Sequence, residues 1–336
     1  MTKSGGRLPE RDLTIESYWP NTQLYTCLLK GILLVSSRMA ITVIGSLNYD
    51  LVTYTDRIPH AGETFRANSF ETHAGGKGLN QTIALAKLRH PDTEYTVRMI
   101  GKVGEDSFGE QLLNVLQNNK VDVSDVQAIE NESTGTATII VEELNGGQNR
   151  ILLTEGANGK TVYSEGELTS VFKKINSKDF KDLRHLVVLQ HEIPEPGSII
   201  LWLKRNNPKF EIVFNPSPFK PLQKDVWNSI DILIVNELEA LQIIESLYSS
   251  DEYKKYQNII EHDFLNGYRN ICEELKENIV CQSKKNGVII TLGAKGALYA
   301  SKNCTVSHVP CMDGIKVVDT TGAGDTFLGA LITQLY

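Results

Sequence analysis

"ITVIGSLNYD", residues 41 to 50, sets the reading of the chain. Its first half is an apolar, β-branched run, the composition of a strand buried on both faces. Its second half turns polar at once, so Asn48 and Asp50 stand where such a strand would end. The same figure recurs in "YTVRMIGKVG" (95–104), "HLVVLQ" (185–190), "FEIVFN" (210–215), "DILIVN" (231–236) and "GVIITLG" (287–293). Helix-period stretches such as "GLNQTIALAKL" (78–88) and "FGEQLLNVLQ" (108–117) separate these runs. The alternation predicts an α/β fold with a mostly parallel central sheet flanked by helices. Ligands of such sheets bind beyond the carboxyl ends of the strands. The polar residues at those ends are Asn48, Asp50, Glu192 and Asn236, with Gly293 beside them.

Two stretches depart from this pattern. Residues 51–72 and 134–154 alternate apolar and polar positions, and "NGG" (145–147) is a hairpin signal. They predict a small antiparallel sheet projecting from the main one, either a lid or a plain edge hairpin. The charged run 251–285 reads as an exposed helical insertion. Residues 1–38 match neither pattern, and Met39 opens the first strand as a natural start, so 1–38 is expected to be a disordered or non-native extension, with a targeting role as the alternative. Its run "CLLKGILLVSS" (27–37) is too short, with Lys30 inside it, to span a membrane.

Composition narrows the function. The formal charge of −7 argues against a general nucleic-acid binder, whose field would be basic. Five cysteines without a C-x-x-C spacing argue against a disulfide framework or zinc site and suit a reducing, cytoplasmic (or nuclear) compartment.

Three motifs carry chemistry. "DTTGAGDTF" (319–327) lacks the Lys of a Walker loop but runs into a helix with Phe327, Leu328, Leu331 and Leu335 on its apolar side. Amides of Gly322, Ala323, Gly324 and Asp325 at that helix start can hold an anion without a cation. Asp325 can accept a proton there, or serve only as a helix cap. "HAGGKGLNQ" (73–81) offers glycines for close approach, with Lys77 and Asn80 as donors. With Asn48 and Asp50 this mixture of donors and acceptors suits a polyhydroxylated ligand; glycine at a helix start is also simply compatible with packing. "QHEIPEP" (190–196) puts Glu192 just past a strand, as a ligand or as a solvated loop acid.

Taken together, "GSLNYD", "AGGKGLNQ", "GTATIIVEELNGGQNRILLTEGAN", "QHEIP", "NPSP", "NELE", "TLGAKG" and "VDTTGAGDTF" resemble the ribokinase-type (PfkB-type) sugar kinase family, in its order and over nearly all of 39–336. "GAGD" alone indicates only the family, whereas the sugar motifs with "GGQNR" and "EGAN" favour its ribokinase branch. The resemblance implies ATP-dependent phosphorylation of D-ribose at the C5 hydroxyl to ribose 5-phosphate, the first step of ribose catabolism. Another sugar or nucleoside kinase of the family, or a non-catalytic ribose-binding protein, are the alternatives. By position, it implies that Asn48, Asp50, Lys77, Asn80 and Glu192 hold the sugar, with Gly76 and Gly78 allowing close approach, and that Asp325 is the base. It implies nucleotide contacts from Asn236, Gly324, Asp325 and the turn Thr291, Leu292, Gly293, Ala294, Lys295 and Gly296. Asn236 and Glu239 would orient magnesium through water, and Asp319 and Thr321 would bind potassium. The exposed lid edge suggests a homodimer. Family members continue past Tyr336, so the C-terminal part of the domain is expected to be missing here.

Overall fold

The computed structural model describes residues 39–89, 95–146, 148–173, 183–282, 286–317 and 320–334. The extension 1–38, Asp319 and Leu335 lie outside them.

The main sheet has nine strands: β1 (Met39–Ile44), β4 (Tyr95–Gly104), β5 (Asp122–Ile129), β8 (Arg184–Gln190), β9 (Glu211–Asn215), β10 (Ile232–Asn236), β11 (Gly287–Thr291), β12 (Ala297–Ser301) and β13 (Cys304–Val309). Their order is β13-β12-β11-β10-β9-β8-β1-β4-β5. All neighbours pair in parallel except the last two strands, an antiparallel edge added after β11.

Strand alternation feeds two cores, one on each face. Met39, Ile41 and Val43 of β1 and Leu186 and Val188 of β8 pack on one side. Ile44, Val187 and Leu189 pack on the other. The first side is covered by α1 (Lys77–Lys87), α2 (Ser107–Asn118) and α9 (Ala323–Gln334), which supply Leu79, Leu85, Leu112, Leu116, Leu328 and Ile332. The second is covered by α3 (Glu165–Lys173), α4 (Pro196–Asn206), α5 (Lys224–Trp227), α6 (Glu237–Leu247) and α8 (Phe264–Glu274). The charged insertion divides: α7 (Ser250–His262) has no fully buried residue and only rests Tyr253, Tyr256 and Ile260 against the core, while α8 sends Tyr268, Ile271 and Cys272 into it.

The apolar side of α9 differs from expectation. Leu328 and Ile332 are its buried large apolar residues, four apart and therefore on one face, whereas Phe327 and Leu331 are only partly buried. That face meets α1 closely: a Cβ on Gly329 would lie 2.5 Å from Ala84 Cβ.

The second sheet holds β2 (Asn48–Thr55), β3 (Ser69–Gly75), β6 (Gly135–Glu142) and β7 (Gln148–Thr154) in the order β3-β2-β6-β7. It consists of two antiparallel hairpins joined by a parallel β2–β6 pair. Gly146, at a φ of 72°, turns the chain towards β7. This sheet continues from β1 through only three residues, so the end of β1 and the start of β2 share one corner.

Candidate active site

The corner between β1 and β2 receives the N-terminus of α1. Its approach depends on two glycines: a Cβ on Gly78 would lie 2.6 Å from the Ser46 backbone, and Gly76, with a φ of 87°, passes the Asn48 amide at 2.8 Å from its own hypothetical Cβ. Leu79 N donates to Ser46 O at 3.0 Å, which locks the helix start to the strand end. Glu192, just beyond β8, then accepts from Lys77 N at 2.9 Å and from Ser46 Oγ at 2.5 Å.

Asn48 is buried and held from behind. Asn158 Nδ2 donates to Asn48 Oδ1 at 2.7 Å and to Leu47 O at 3.0 Å, and Asn158 Oδ1 accepts from Leu47 N at 2.9 Å. Gly135 leaves room for that pair. Asp50 occupies a recess beside Gly75, where a Cβ would lie 2.2 Å from the carboxylate. Burial, reinforced by the negative charge of Glu192 and opposed by His73, pushes Asp50 up to about 6. The two acids are therefore close enough for the charge of one to act on the other.

One turn further along α1 lies Asp325, a buried carboxylate in the first turn of α9. Gln81 Nε2 donates to its Oδ1 at 2.9 Å, and Asn80 Nδ2 lies 3.4 Å from its Oδ2. The anion loop is narrower than expected. Ala323 N is spent on Thr320 O at 3.1 Å, closing a tight turn, and Thr326 N makes the first helical bond to Gly322 O. Gly324 and Asp325 remain as the donor amides of this helix start. A Cβ on Gly322 or Gly324 would meet nothing within 4 Å, so the loop is open above its backbone. Thr321 is exposed at the start of this turn.

On the far side of Gly324 an apolar cleft of about 370 Å³ opens, walled by Tyr299, Val309, Phe327 and Leu331 and floored by Thr291, Gly293 and Gly296. The turn at 291–296 is self-bonded, with Leu292 N donating to Gly296 O at 2.8 Å and Gly296 N to Gly293 O at 3.1 Å. Ala294 and Lys295 are exposed on it, and Lys295 Nζ lies 3.6 Å above the Phe264 ring, committed to a cation–π contact. Asn236 caps α6 in a reciprocal box: its Oδ1 accepts from Glu239 N at 2.8 Å, and Glu239 Oε2 accepts from Asn236 N at 3.0 Å. Each keeps its second polar atom outside the box. Among the described residues no group of three or more His, Cys, Asp or Glu could hold a metal ion.

The structure thus joins a polar corner, a buried carboxylate and an apolar cleft in one continuous line. A model of pfkB family carbohydrate kinases matches residues 39–336. The chain belongs to the pfkB family of carbohydrate kinases. A ribokinase of Schizosaccharomyces pombe is 37% identical over 88% of this chain and 85% of its own. A deoxyribokinase of Salmonella typhimurium is 32% identical over 87% and 84%. The structure of Arabidopsis thaliana ribokinase complexed with ribose and ATP superposes with a TM-score of 0.67 at 27% identity, covering 88% of this chain and 85% of that one.

The candidate site of this carbohydrate kinase is built from more residues than the motifs single out. Asn158 belongs to "EGAN", and only its distance from Asn48 reveals what it holds. Ser46, Gln81, Gln190 and Asn215 are also built into it. Gln190 and Asn215 end β8 and β9, so the rule about strand ends would have found both.

Proposed function

We propose that this chain transfers the γ-phosphoryl group of ATP to the C5 hydroxyl of D-ribose. The observation that carries the reading is the placement of Asp325, between the polar corner reached by Asn80 and the cleft that begins at Gly324. Residues 39–336 act as one kinase unit with the second sheet as its lid. Asn48, Asp50, Lys77, Asn80 and Glu192 hold the sugar. Asp325 takes the C5 proton as the C5 oxygen bonds to the γ-phosphorus and the bond from that phosphorus to the ADP oxygen breaks. The Gly324 and Asp325 amides face the charge on the transferring group. Positioning supplies much of the rate.

The apolar cleft and the 291–296 turn suit a nucleotide base and its sugar. Magnesium would be oriented through water by Asn236 and Glu239, whose capping bonds leave one polar atom each for that role. Its chemistry there is neutralisation of phosphate charge. Potassium would bind beside Thr321 and Asp319. The exposed Phe70, Ile151, Leu152 and Leu153 of the lid favour pairing with a second copy, which sedimentation at several concentrations tests. Cys272, Cys281 and Cys311, each a free thiol, agree with the cytoplasm as the compartment, and no described helix is long and apolar enough to cross a membrane.

The test is a panel of ribose, 2-deoxyribose, hexoses and nucleosides with ATP, magnesium and potassium, reading product by mass and phosphorus NMR. Ribose 5-phosphate as the dominant product is expected, with a several-fold loss when an organic cation replaces potassium. Preference for a nucleoside or for 2-deoxyribose would replace the substrate assignment, and ribose binding without any transfer would replace the enzyme by a binding protein.

A further inference from the structure

Asp325 does not stand on its own helix alone. It is the end of a chain of side-chain amides whose direction is dictated by the sheet. Asn215 Nδ2 lies 2.9 Å from Ile234 O, a carbonyl that can only accept. Asn215 must therefore turn Oδ1 towards Gln81, at 3.2 Å from Gln81 Nε2. With Nε2 fixed on that side, Gln81 presents its second N–H to Asp325 Oδ1 at 2.9 Å. Its Oε1 faces the other way and accepts from Gln190 Nε2 at 2.7 Å. Gln81 and Gln190 are both fully buried. The far end of the chain shows the cost: Gln190 Oε1 is buried with no partner, in space left by Gly45.

We infer that Gln81, oriented by Asn215 and Gln190, is the positioning residue of the base. Its N–H holds Oδ1, so Asp325 turns Oδ2 towards Asn80 and the sugar corner. A carboxylate gripped by one oxygen cannot rotate away from its acceptor geometry, and a glutamine whose amide were reversed would oppose oxygen to oxygen. The sheet prevents that reversal through the Ile234 carbonyl. This inference rests on Asp325 being the base of the proposed transfer.

The experiment compares the parent with Gln81→Leu and Gln190→Met, on whichever sugar the parent phosphorylates. If the parent turns over a sugar other than ribose, the substrate assignment fails while this test proceeds on that sugar. Gln81→Leu is expected to lower kcat about 10–100-fold, the scale of misplacing a reacting group by an ångström. Its sugar Kd, measured calorimetrically without nucleotide, should stay within about twofold; that retained affinity also certifies the fold. Gln190→Met keeps Gln81 and its bond to Asn215 but removes the donor to its Oε1, so a smaller kcat loss of about 3–10-fold is expected, again at constant Kd. A Gln81→Leu enzyme with at least half the parental kcat would overturn the inference, as would parallel losses of kcat and sugar affinity. If Gln81→Leu does not fold, Gln190→Met decides alone: an unchanged kcat refutes the chain.

Discussion

The two ends of the candidate site are built differently. At the proposed sugar end, Asn48 and Glu192 are tied to partners from distant segments, Asn158 on one side and Ser46 with Lys77 N on the other. At the proposed nucleotide end Lys295 is committed to Phe264, and Asn236 and Glu239 each spend one side-chain atom on a helix cap and keep the other. The rest of that end is a glycine turn and an apolar wall. A site of prearranged side chains discriminates hydroxyl patterns, because each mismatch leaves a buried polar group unpaired. A site of backbone and apolar surface tolerates side-chain change. The proposed reaction takes place where the two meet, at Asp325.

The strongest way to break this comparison is at the junction. Asp325→Asn keeps the shape but removes proton acceptance, so kcat should fall about 10²–10⁴-fold while ribose still binds. Steady-state kinetics with calorimetry checks this, and a variant keeping a tenth of the rate would remove Asp325 from its role.

The sugar end is sharpened by a residue that needs no contact with ligand. Asn158→Ala leaves Asn48 without its donor, a loss of about 1–3 kcal/mol, or roughly 5–150-fold in ribose Kd. Affinity for ATP should not change. Equal ribose binding in parent and variant would show that Asn48 is held by other means.

Acidity separates the sugar end from its scaffold. Asp50 has its usual value of 3.8 raised to about 6 by burial, then by Glu192. The folded protein thus retains a proton there that the unfolded chain has lost. The resulting stabilisation is present at low pH and is withdrawn as pH rises from about 3.8 to about 6. His191 behaves oppositely. Burial, then the charge of Lys220, lowers it from 6.5 to about 4, so stability is withdrawn as pH falls through that interval. The two contributions oppose each other over much the same range, and single variants unmask them. Asp50→Asn should raise the Tm of the ligand-free protein above pH 6, lose that gain near pH 4, and bind ribose more weakly. His191→Phe should flatten the acid loss of stability. Thermal scans across this pH range test both, and an Asp50→Asn gain independent of pH would contradict the burial argument.

The smallest effect belongs to the nucleotide end. Lys295→Ala should change the KM for ATP by less than about twofold, and cost stability only on the scale of an exposed cation–π contact, about 0.5–1 kcal/mol. A large loss of ATP affinity would mean that Lys295 leaves Phe264 to meet phosphate.

Much of this molecule was legible along the chain. Apolar runs such as 41–47 and 231–236 announce strands because burial on both faces demands continuous hydrophobicity. Asn48, Asp50, Glu192 and Asn236 then follow from the rule that ligands gather at strand ends. The strands β5, β12 and β13 were not legible. "DVSDVQAI" is too polar and "ALYAS" too short to outweigh turn signals, and β12 and β13 owe their place to an edge that β11 offers. The lid showed its hairpins in its alternation, but the parallel β2–β6 pair that joins them is a long-range choice.

Local sequence determined most of the strand and helix pattern, the glycines at 76 and 78 that allow close approach, and the polar residues at the strand ends. Only the tertiary structure decided which polar side chain answers which. Asn158 reaches Asn48 across 110 residues, and Gln81 reaches Asp325 across 244. In the sequence Gln81 is one polar residue on a helix, and Gln190 one polar residue at the end of a strand. Their direction comes from Ile234 O, a backbone acceptor in a strand that neither of them belongs to. Hydrophobic periodicity is set by neighbours three or four residues away, whereas the orientation of a buried amide is set by whichever donor or acceptor the folded sheet presents to it.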